Sequence, residues 1–225
     1  VPRGRNIFQV PSGASEGLTG MVDFNGRVLA FKRDSVYRAV LRDGAAVYDK
    51  LTPDMGCVSH ASILTLQNRL YWVGEQGLCV YTGGGIPEWI SARLETFFND
   101  GLDQQAAERI SAAVNRRRNQ IVLALQELNE LYQSHRVTAE VARLEAGQAH
   151  RFGRHDDPGL VCVASLRDRG GQTSRLIGGT DDGFAVWMDR ADAALVMLGR
   201  TAAIWGDSAL TADAGSTTTR IALQG

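Results

Sequence analysis

The chain has 225 residues, of which 44% are hydrophobic and 22% charged, a composition typical of a folded globular protein rather than a disordered one. Its 24 basic and 25 acidic side chains give a net charge of -1, which argues against a dedicated nucleic-acid-binding protein but leaves a local basic patch open. No apolar run approaches the roughly 20 residues needed to cross a bilayer, so we expect neither a signal peptide nor membrane association.

Residues 1–20 carry no clear strand or helix pattern and are expected to form an extended segment. The chain begins at Val1 rather than Met, which suggests a piece of a longer polypeptide. A first strand–turn–strand unit follows, from Met21 to Arg38. Asn25-Gly26 predicts a type I′ hairpin turn, since both residues tolerate left-handed backbone angles. A second polar turn is predicted at 32–35.

The same layout returns between Ile63 and Tyr81. Gln67-Asn68 is predicted to make the first turn of this unit, and 74–77 the second. A weaker copy has Asn119 at a turn, followed by a strand over 120–125. The predicted blades therefore occupy residues 21–125.

Two regions break the strand pattern. Residues 91–98 predict a short helix with Ser91 as its N-cap. Residues 126–157 predict an irregular or helical insertion, because Val137, Val141 and Leu144 recur at helical spacing. A chain discontinuity in that region is an alternative that the pattern leaves open.

Residues 158–225 predict a further blade and a C-terminal strand. A strand over 161–166, a turn at 167–172 and two strands within 174–187 repeat the earlier layout. The threonine-rich stretch from Thr217 to Leu223 favours one last strand.

The copies can be aligned on one position, occupied by Arg27, Arg69, Gln120 and Arg175. These residues are 42, 51 and 55 positions apart, close to the roughly 40 to 50 residues of a four-stranded propeller blade. We therefore predict an all-β fold, a propeller-like array of antiparallel blades with short helical insertions. The uneven spacing indicates an incomplete array or a fragment of a longer chain.

The three cysteines, Cys57, Cys79 and Cys162, form no metal-binding or disulfide pattern. We expect buried free thiols on strands, in a protein made in a reducing compartment. Among the four histidines, only His155 has acidic neighbours, in 155–157. Turn chemistry before Pro158 explains that cluster better than a metal site does.

Other site-like motifs also have structural explanations. Asp181-Asp182-Gly183 and Glu75-Gln76-Gly77 suggest a glycosidase carboxylate pair, but their recurrence at equivalent turns favours hairpin chemistry. Gly83-Gly84-Gly85 lacks the Lys-Ser/Thr of a phosphate-binding loop and is predicted to connect two blades. The basic run 115–119 is either a phosphate contact or, more simply, a solvated strand end. The strand aromatics are expected to pack between blades, namely Tyr37, Tyr71, Trp72, Tyr81 and Trp187. No catalytic residue, cofactor or metal is therefore predicted.

The sequence of the repeats resembles that of the propeller-type tail proteins of short-tailed bacteriophages, the nozzle or tail-tube closure proteins. The residues that carry the resemblance are 26–38, 56–63, 68–84, 86–91 and 178–189. The resemblance covers roughly residues 20–125 and 158–190. It implies a virion structural protein without enzymatic activity, made in the host cytoplasm, that forms a homo-oligomeric ring around the DNA exit channel. Its implied partners are other tail or connector proteins, with transient, non-specific contact to genomic DNA.

Two other functions stay open at this point. One is a propeller that binds a protein or a glycan through its loops. The other is a glycosidase that uses Asp181 and Asp182.

Overall fold

The structure, a computed structural model, describes part of the chain in detail. The described residues are 17–43, 45–91, 98, 106–116, 118–126, 134–140, 151–156, 159–167, 174–188, 196–200 and 219–220. They form four sheets, and the chain divides into two compact units, residues 1–99 and 100–225. This division differs from the predicted boundaries at 125 and 157.

The first sheet of the first unit is a four-stranded antiparallel meander, in which each strand pairs with the next along the chain. Its strands are β1 (Gly20–Phe24), β2 (Arg27–Phe31), β3 (Val36–Arg42) and β4 (Ala45–Thr52). The β1–β2 turn is the predicted one, because Asn25 and Gly26 have φ angles of 54° and 71°.

The second sheet repeats the meander. After a single 3-10 turn at His60–Ser62 come β5 (Leu64–Leu66), β6 (Arg69–Gly74), β7 (Gly77–Tyr81) and β8 (Glu88–Trp89). Gln67 and Asn68 have φ angles of 51° and 57°, which confirms the predicted hairpin.

One apolar core joins the two sheets of the first unit. The edge of the Phe31 ring meets the Trp72 ring at a centroid distance of 5.2 Å, and the Trp72 indole N–H donates to the Gly56 carbonyl at 2.9 Å. Both side chains are fully buried, so a large aromatic is packed and its polar atom is satisfied. The buried members of this core are Phe24, Leu29, Phe31, Val36, Cys57, Leu70, Trp72, Cys79 and Tyr81.

The third sheet, in the second unit, is also antiparallel. After a 3-10 turn at Ala107–Arg109 come β9 (Ser111–Asn115), β10 (Gln120–Gln126), β11 (Ser134–Glu140) and β12 (Arg151–Asp156). The fourth sheet has four antiparallel strands and a fifth, parallel one. They are β13 (Leu160–Arg167), β14 (Ser174–Thr180), β15 (Phe184–Trp187), β16 (Val196–Arg200) and β17 (Thr219–Arg220).

Aliphatic side chains and two serines join the sheets of the second unit. The buried contact consists of Ala113, Val122, Ala124, Leu160, Val163 and Leu176. β9 and β13 are edge strands of their sheets, and their outer backbone groups need partners when buried. The Val163 N–H donates to Ser111 Oγ and the Val114 N–H to Ser165 Oγ, each at 2.9 Å. The Ser165 hydroxyl in turn donates to the Val114 carbonyl at 2.9 Å.

The predicted fold class is confirmed. The four aligned positions all lie at the beginning of the second strand of a sheet, where Arg27, Arg69 and Gln120 are the first residues of β2, β6 and β10 and Arg175 is the second of β14. The described chain is thus an array of antiparallel four-stranded meanders of the kind that form propeller blades.

The helical interpretation of residues 126–157 is wrong where the structure describes them, because β11 and β12 lie there. Val137 and Ala139 are fully buried while Arg136 and Thr138 are half-buried, an alternation with the period of a strand. Val141 and Leu144, which suggested the helix, lie outside the described residues.

Other predictions fall partly outside the described residues. A helix was predicted over 91–98, and residues 92–97 of that range lie outside the described residues. Ser91, its expected N-cap, accepts the Leu78 N–H of β7 at 2.8 Å. β17 confirms part of the predicted C-terminal strand. Of the predicted N-terminal segment, residues 1–16 lie outside. In the part of the chain that is described, no helix has the length and apolar character to span a membrane.

Candidate functional site

The acidic turns that suggested a glycosidase lie in hairpins, between β6 and β7 and between β14 and β15, and their polar groups make structural contacts. The Asp181 N–H donates to the Gly159 carbonyl at 2.8 Å, and the Thr180 hydroxyl donates to Asp182. Gly183 has a φ angle of 85°, which favours glycine at the end of this turn. At the equivalent turn of the second sheet, Glu75 accepts from the Arg33 side chain at 2.6 Å. Each motif therefore fits the hairpin explanation.

The turn predicted over 155–157 is wrong for His155 and Asp156, which belong to a strand. His155 and Asp156 are the last residues of β12 and pair with Arg136 and His135 of β11. Asp157 and Pro158 lie outside the described residues. Within those residues, no three His, Cys, Asp or Glu side chains are grouped so that they could hold a metal ion.

The glycine run 83–85 was predicted to connect two blades, but it connects two strands of one sheet. It lies between β7 and β8, and Gly83 and Gly85 have φ angles of 97° and 81°. The prediction was wrong because β8 has only two residues, too short to show a strand pattern. The basic run 115–119 is the β9–β10 turn, where Arg116 and Arg118 are exposed.

The cysteine prediction is confirmed for burial at two positions. Cys79 is buried on β7, and Cys57 is buried in the connection that follows the first sheet rather than on a strand. Burial raises the pKa of Cys57 to about 11 and that of Cys79 well above its usual value. Cys162 is exposed, contrary to the prediction. A β-bulge between Leu160 and Cys162 shifts the alternation, so that Val163 points into the core instead.

Trp72 and Tyr81 pack between the two sheets of the first unit, as predicted, against Phe31 and Phe24. Tyr37 and Tyr71 are buried but do not belong to this core. Trp187, in the second unit, is half-buried, and the Arg175 guanidinium lies 5.4 Å from its ring centroid. This is a cation–π contact at the surface.

The candidate site is a cleft in the first unit, at one end of its two sheets. The cleft has a volume of about 200 Å³. The β1–β2 hairpin supplies one wall and the end of β7 the other; the lining residues are Phe24, Asn25, Arg27, Leu29, Tyr81, Thr82 and Gly83. Its volume is below the roughly 300 to 1,000 Å³ of pockets for drug-sized ligands. A cleft of this size suits one functional group or a very small molecule.

The rim of the cleft is polar. Asn25, Arg27 and Thr82 are exposed, and Arg27 Nη1 donates to the Gly83 carbonyl at 3.4 Å, which is long for a hydrogen bond. The rim therefore presents a guanidinium, an amide and a hydroxyl group on the two walls of one opening.

The floor of the cleft is aromatic. The Phe24 and Tyr81 rings lie 6.0 Å apart and tilted, and both side chains are buried. The Tyr81 hydroxyl is closed off from solvent and has no hydrogen-bond partner among the described residues. An unsatisfied buried hydroxyl costs about 1–3 kcal/mol.

Sequence reasoning missed this cleft, although it singled out Arg27 as an alignment anchor. The equivalent arginines make different contacts. Arg69 lies beside the Tyr71 hydroxyl and partly offsets the rise that burial causes in the pKa of Tyr71, and Arg175 lies over Trp187. The arginine that recurs at this blade position was the signal in the sequence that could have pointed to the cleft. The signal was not sufficient, because the partner of Arg27, Gly83, is 56 residues away in sequence.

No protein-family model and no curated protein matches this chain. Among solved structures, the WD40 domain of Pan2 from Neurospora crassa is similar to it, with a TM-score of 0.46 and 8% sequence identity. The similarity covers 80% of this chain and 49% of that chain, so this chain spans about half the length of that one.

Proposed function

We propose that the protein is a structural component of a bacteriophage virion, a tail nozzle or a head-to-tail or tail-tube protein. It forms a homo-oligomeric ring around the DNA exit channel. The observation that carries this proposal is the resemblance of its repeats to such proteins. The resembling residues coincide with blade elements, since 26–38 covers β2 and the beginning of β3, and 68–84 covers β6 and β7.

The way in which the sheets are joined within each unit favours a mechanical role. The Arg33–Glu75 ion pair and the Trp72–Gly56 hydrogen bond link the first two sheets, and the Ser111 and Ser165 hydrogen bonds link the last two. Directional bonds between stacked sheets resist sliding, which an apolar contact alone does less well. In this proposal, these links help the sheets to withstand genome ejection.

The charge of the chain suits a conduit. A net charge of -1 gives little overall attraction to phosphate, and strong phosphate binding would slow the passage of DNA. The exposed Arg116 and Arg118 offer weak, transient contact. In this proposal the partners are further copies of the chain and other tail or connector proteins, the location is the virion, and no enzymatic activity is involved.

Electron microscopy and light scattering of the purified protein test this proposal. We expect closed rings of one stoichiometry with a lumen that admits duplex DNA, and we expect the protein in purified phage particles. A monodisperse monomer that is absent from particles would contradict the proposal.

A second candidate function is a binding module, which the Arg27 cleft favours. Such a module would recognise a protein or a glycan at the loop ends of its blades. Binding of the isolated monomer to a glycan array or to one protein partner, lost in Arg27→Gln, would support this function over the ring.

A further inference from the structure

We propose that the cleft lined by Asn25, Arg27, Tyr81 and Thr82 is a binding site for the carboxylate group of a small organic acid. The inference does not depend on the ring assembly, because the cleft lies within one compact unit. It assigns the Arg27 guanidinium as the charged anchor and the neighbouring amide and hydroxyl groups as orienting donors.

The positive charge of Arg27 is the first observation that supports a carboxylate ligand. Arg27, Arg33 and Arg38 all lie in the first sheet or its turns, and the last two face carboxylates. Arg33 Nε lies 2.6 Å from Glu75 Oε1, and Arg38 Nη2 lies 3.9 Å from Asp49 Oδ2. Arg27 has no carboxylate within ion-pair distance among the described residues, and only the long contact to Gly83 holds it. Its planar fork is suited to a bidentate carboxylate.

The other donors at the opening fit the same group. A carboxylate has two oxygens that accept several hydrogen bonds, and a guanidinium occupies only some of those positions. The Asn25 amide and the Thr82 hydroxyl line the same cleft and provide further donors. No Asp or Glu side chain lines it, so the cleft offers cation and donor groups to an anion without a competing negative charge.

Tyr81 contributes contact surface to the cleft rather than a hydrogen-bond donor. Tyr81 is 2% exposed, lines the cleft, and has a hydroxyl without a hydrogen-bond partner in the described chain. Because this hydroxyl is closed off even to water, a ligand in the cleft meets the rest of Tyr81 and not its hydroxyl group.

Gly83 keeps the opening free. A Cβ at this position would lie 3.5 Å from Phe24 Cε1 and 3.6 Å from Asn25 Nδ2, and so between the two walls. The residue also has a φ angle of 97°, which favours glycine. Any larger residue would therefore fill space that the ligand needs.

Two matched ligand pairs test the proposal and identify the source of the carboxylate. Glucuronate with glucose as its neutral counterpart represents a sugar acid, and N-acetylglutamate with N-acetylglutamine represents an acidic amino acid. Binding is followed by titration calorimetry and by NMR shifts of the Thr82 and Gly83 amides of the full chain. We expect saturable binding of at least one acid and none of its neutral counterpart, and the tighter acid identifies the source.

Three variants complete the test. Arg27→Gln should weaken binding of the acid by about tenfold or more, and Arg27→Lys by less, since hydrogen bonds to charged groups are strong. Tyr81→Phe should bind the acid as wild type does and should not lower the stability of the free protein, because it removes a buried hydroxyl that has no partner among the described residues. Arg118→Gln, which removes an exposed arginine of the second unit, is the matched control and should bind as wild type does.

Three results would overturn the proposal: no shift of the Thr82 and Gly83 amides with either acid, equal binding of acid and neutral counterpart, or equal losses in Arg27→Gln and Arg118→Gln.

Discussion

In the first unit two sheets meet through large aromatic side chains, whereas in the second unit two sheets meet through aliphatic side chains, from alanine to leucine, and through serine hydrogen bonds. Phe31 and Trp72 interlock in the first unit, and Ser111 and Ser165 bridge β9 to β13 in the second. The same blade topology is thus stabilised in two ways, one by buried apolar area and one by directional bonds at close range.

The difference follows from side-chain volume. Ala113 and Ala124 let the β9–β10 face approach the fourth sheet, so that a serine side chain reaches the backbone of the opposite edge strand. In the first unit the larger rings occupy that space, and the polar links are the Arg33–Glu75 pair at two turns and the hydrogen bond from Trp72 to Gly56. A blade stack therefore tolerates very different sequences if volume and hydrogen bonding change together.

The largest effect is expected from Trp72→Ala in the first unit. Trp72 is fully buried and its indole N–H donates to Gly56, so its loss leaves a cavity and an unpaired carbonyl. The free energy of unfolding should fall by about 3–5 kcal/mol. Hydrogen exchange by mass spectrometry should rise first in β1–β8. Trp187→Ala, at a half-buried position of the second unit, is the control and should cost much less.

Ser111→Ala in the second unit is expected to have the next largest effect. It leaves the buried Val163 N–H without its acceptor, which should cost about 1–3 kcal/mol in urea unfolding. Ser165→Ala should cost less, because Ser165 is exposed. If both variants unfold as wild type does, the hydrogen bonds do not hold this unit together and the contrast between the units fails.

High pH should weaken the first unit more than the second. The folded-state pKa of Cys57 is raised from 9.0 to about 11, so its stabilising effect is full below pH 9.0 and is lost as the pH rises to 11. The pKa values of Cys79 and Tyr71 are raised in the same direction. Urea midpoints measured from pH 8 to 11 should fall less steeply in Cys57→Ala, and Cys162→Ser should follow wild type. An identical slope in Cys57→Ala would contradict this explanation.

The smallest effect is expected at the Arg33–Glu75 pair. The side chains are 32% and 49% exposed, and such pairs contribute about 0.2–1 kcal/mol. A double-mutant cycle of Arg33→Gln and Glu75→Gln should give a coupling energy in that range at low salt and a smaller one at high salt. A coupling above this range would mean that the first unit also depends on its polar links.

Local patterns in the sequence predicted the turns and most strands. Asn25-Gly26 and Gln67-Asn68 specify their hairpins because few residues adopt two consecutive positive φ angles. β11 and β12 were missed because charged residues interrupt them, and the pairing with β10 that stabilises β11 is a tertiary effect. The bulge that turns Cys162 outward has no local signal. The cleft could not be predicted either, since Arg27 and Gly83 meet only after two sheets have stacked.

The proposal that the blades build a virion ring is tested most directly by electron microscopy of purified phage particles, combined with antibody or gold labelling of the exposed Cys162. The proposal predicts label in a ring at the tail, at the same stoichiometry as in rings of the isolated protein. Label that is absent from particles, or an isolated protein that stays monomeric at all concentrations, would contradict it.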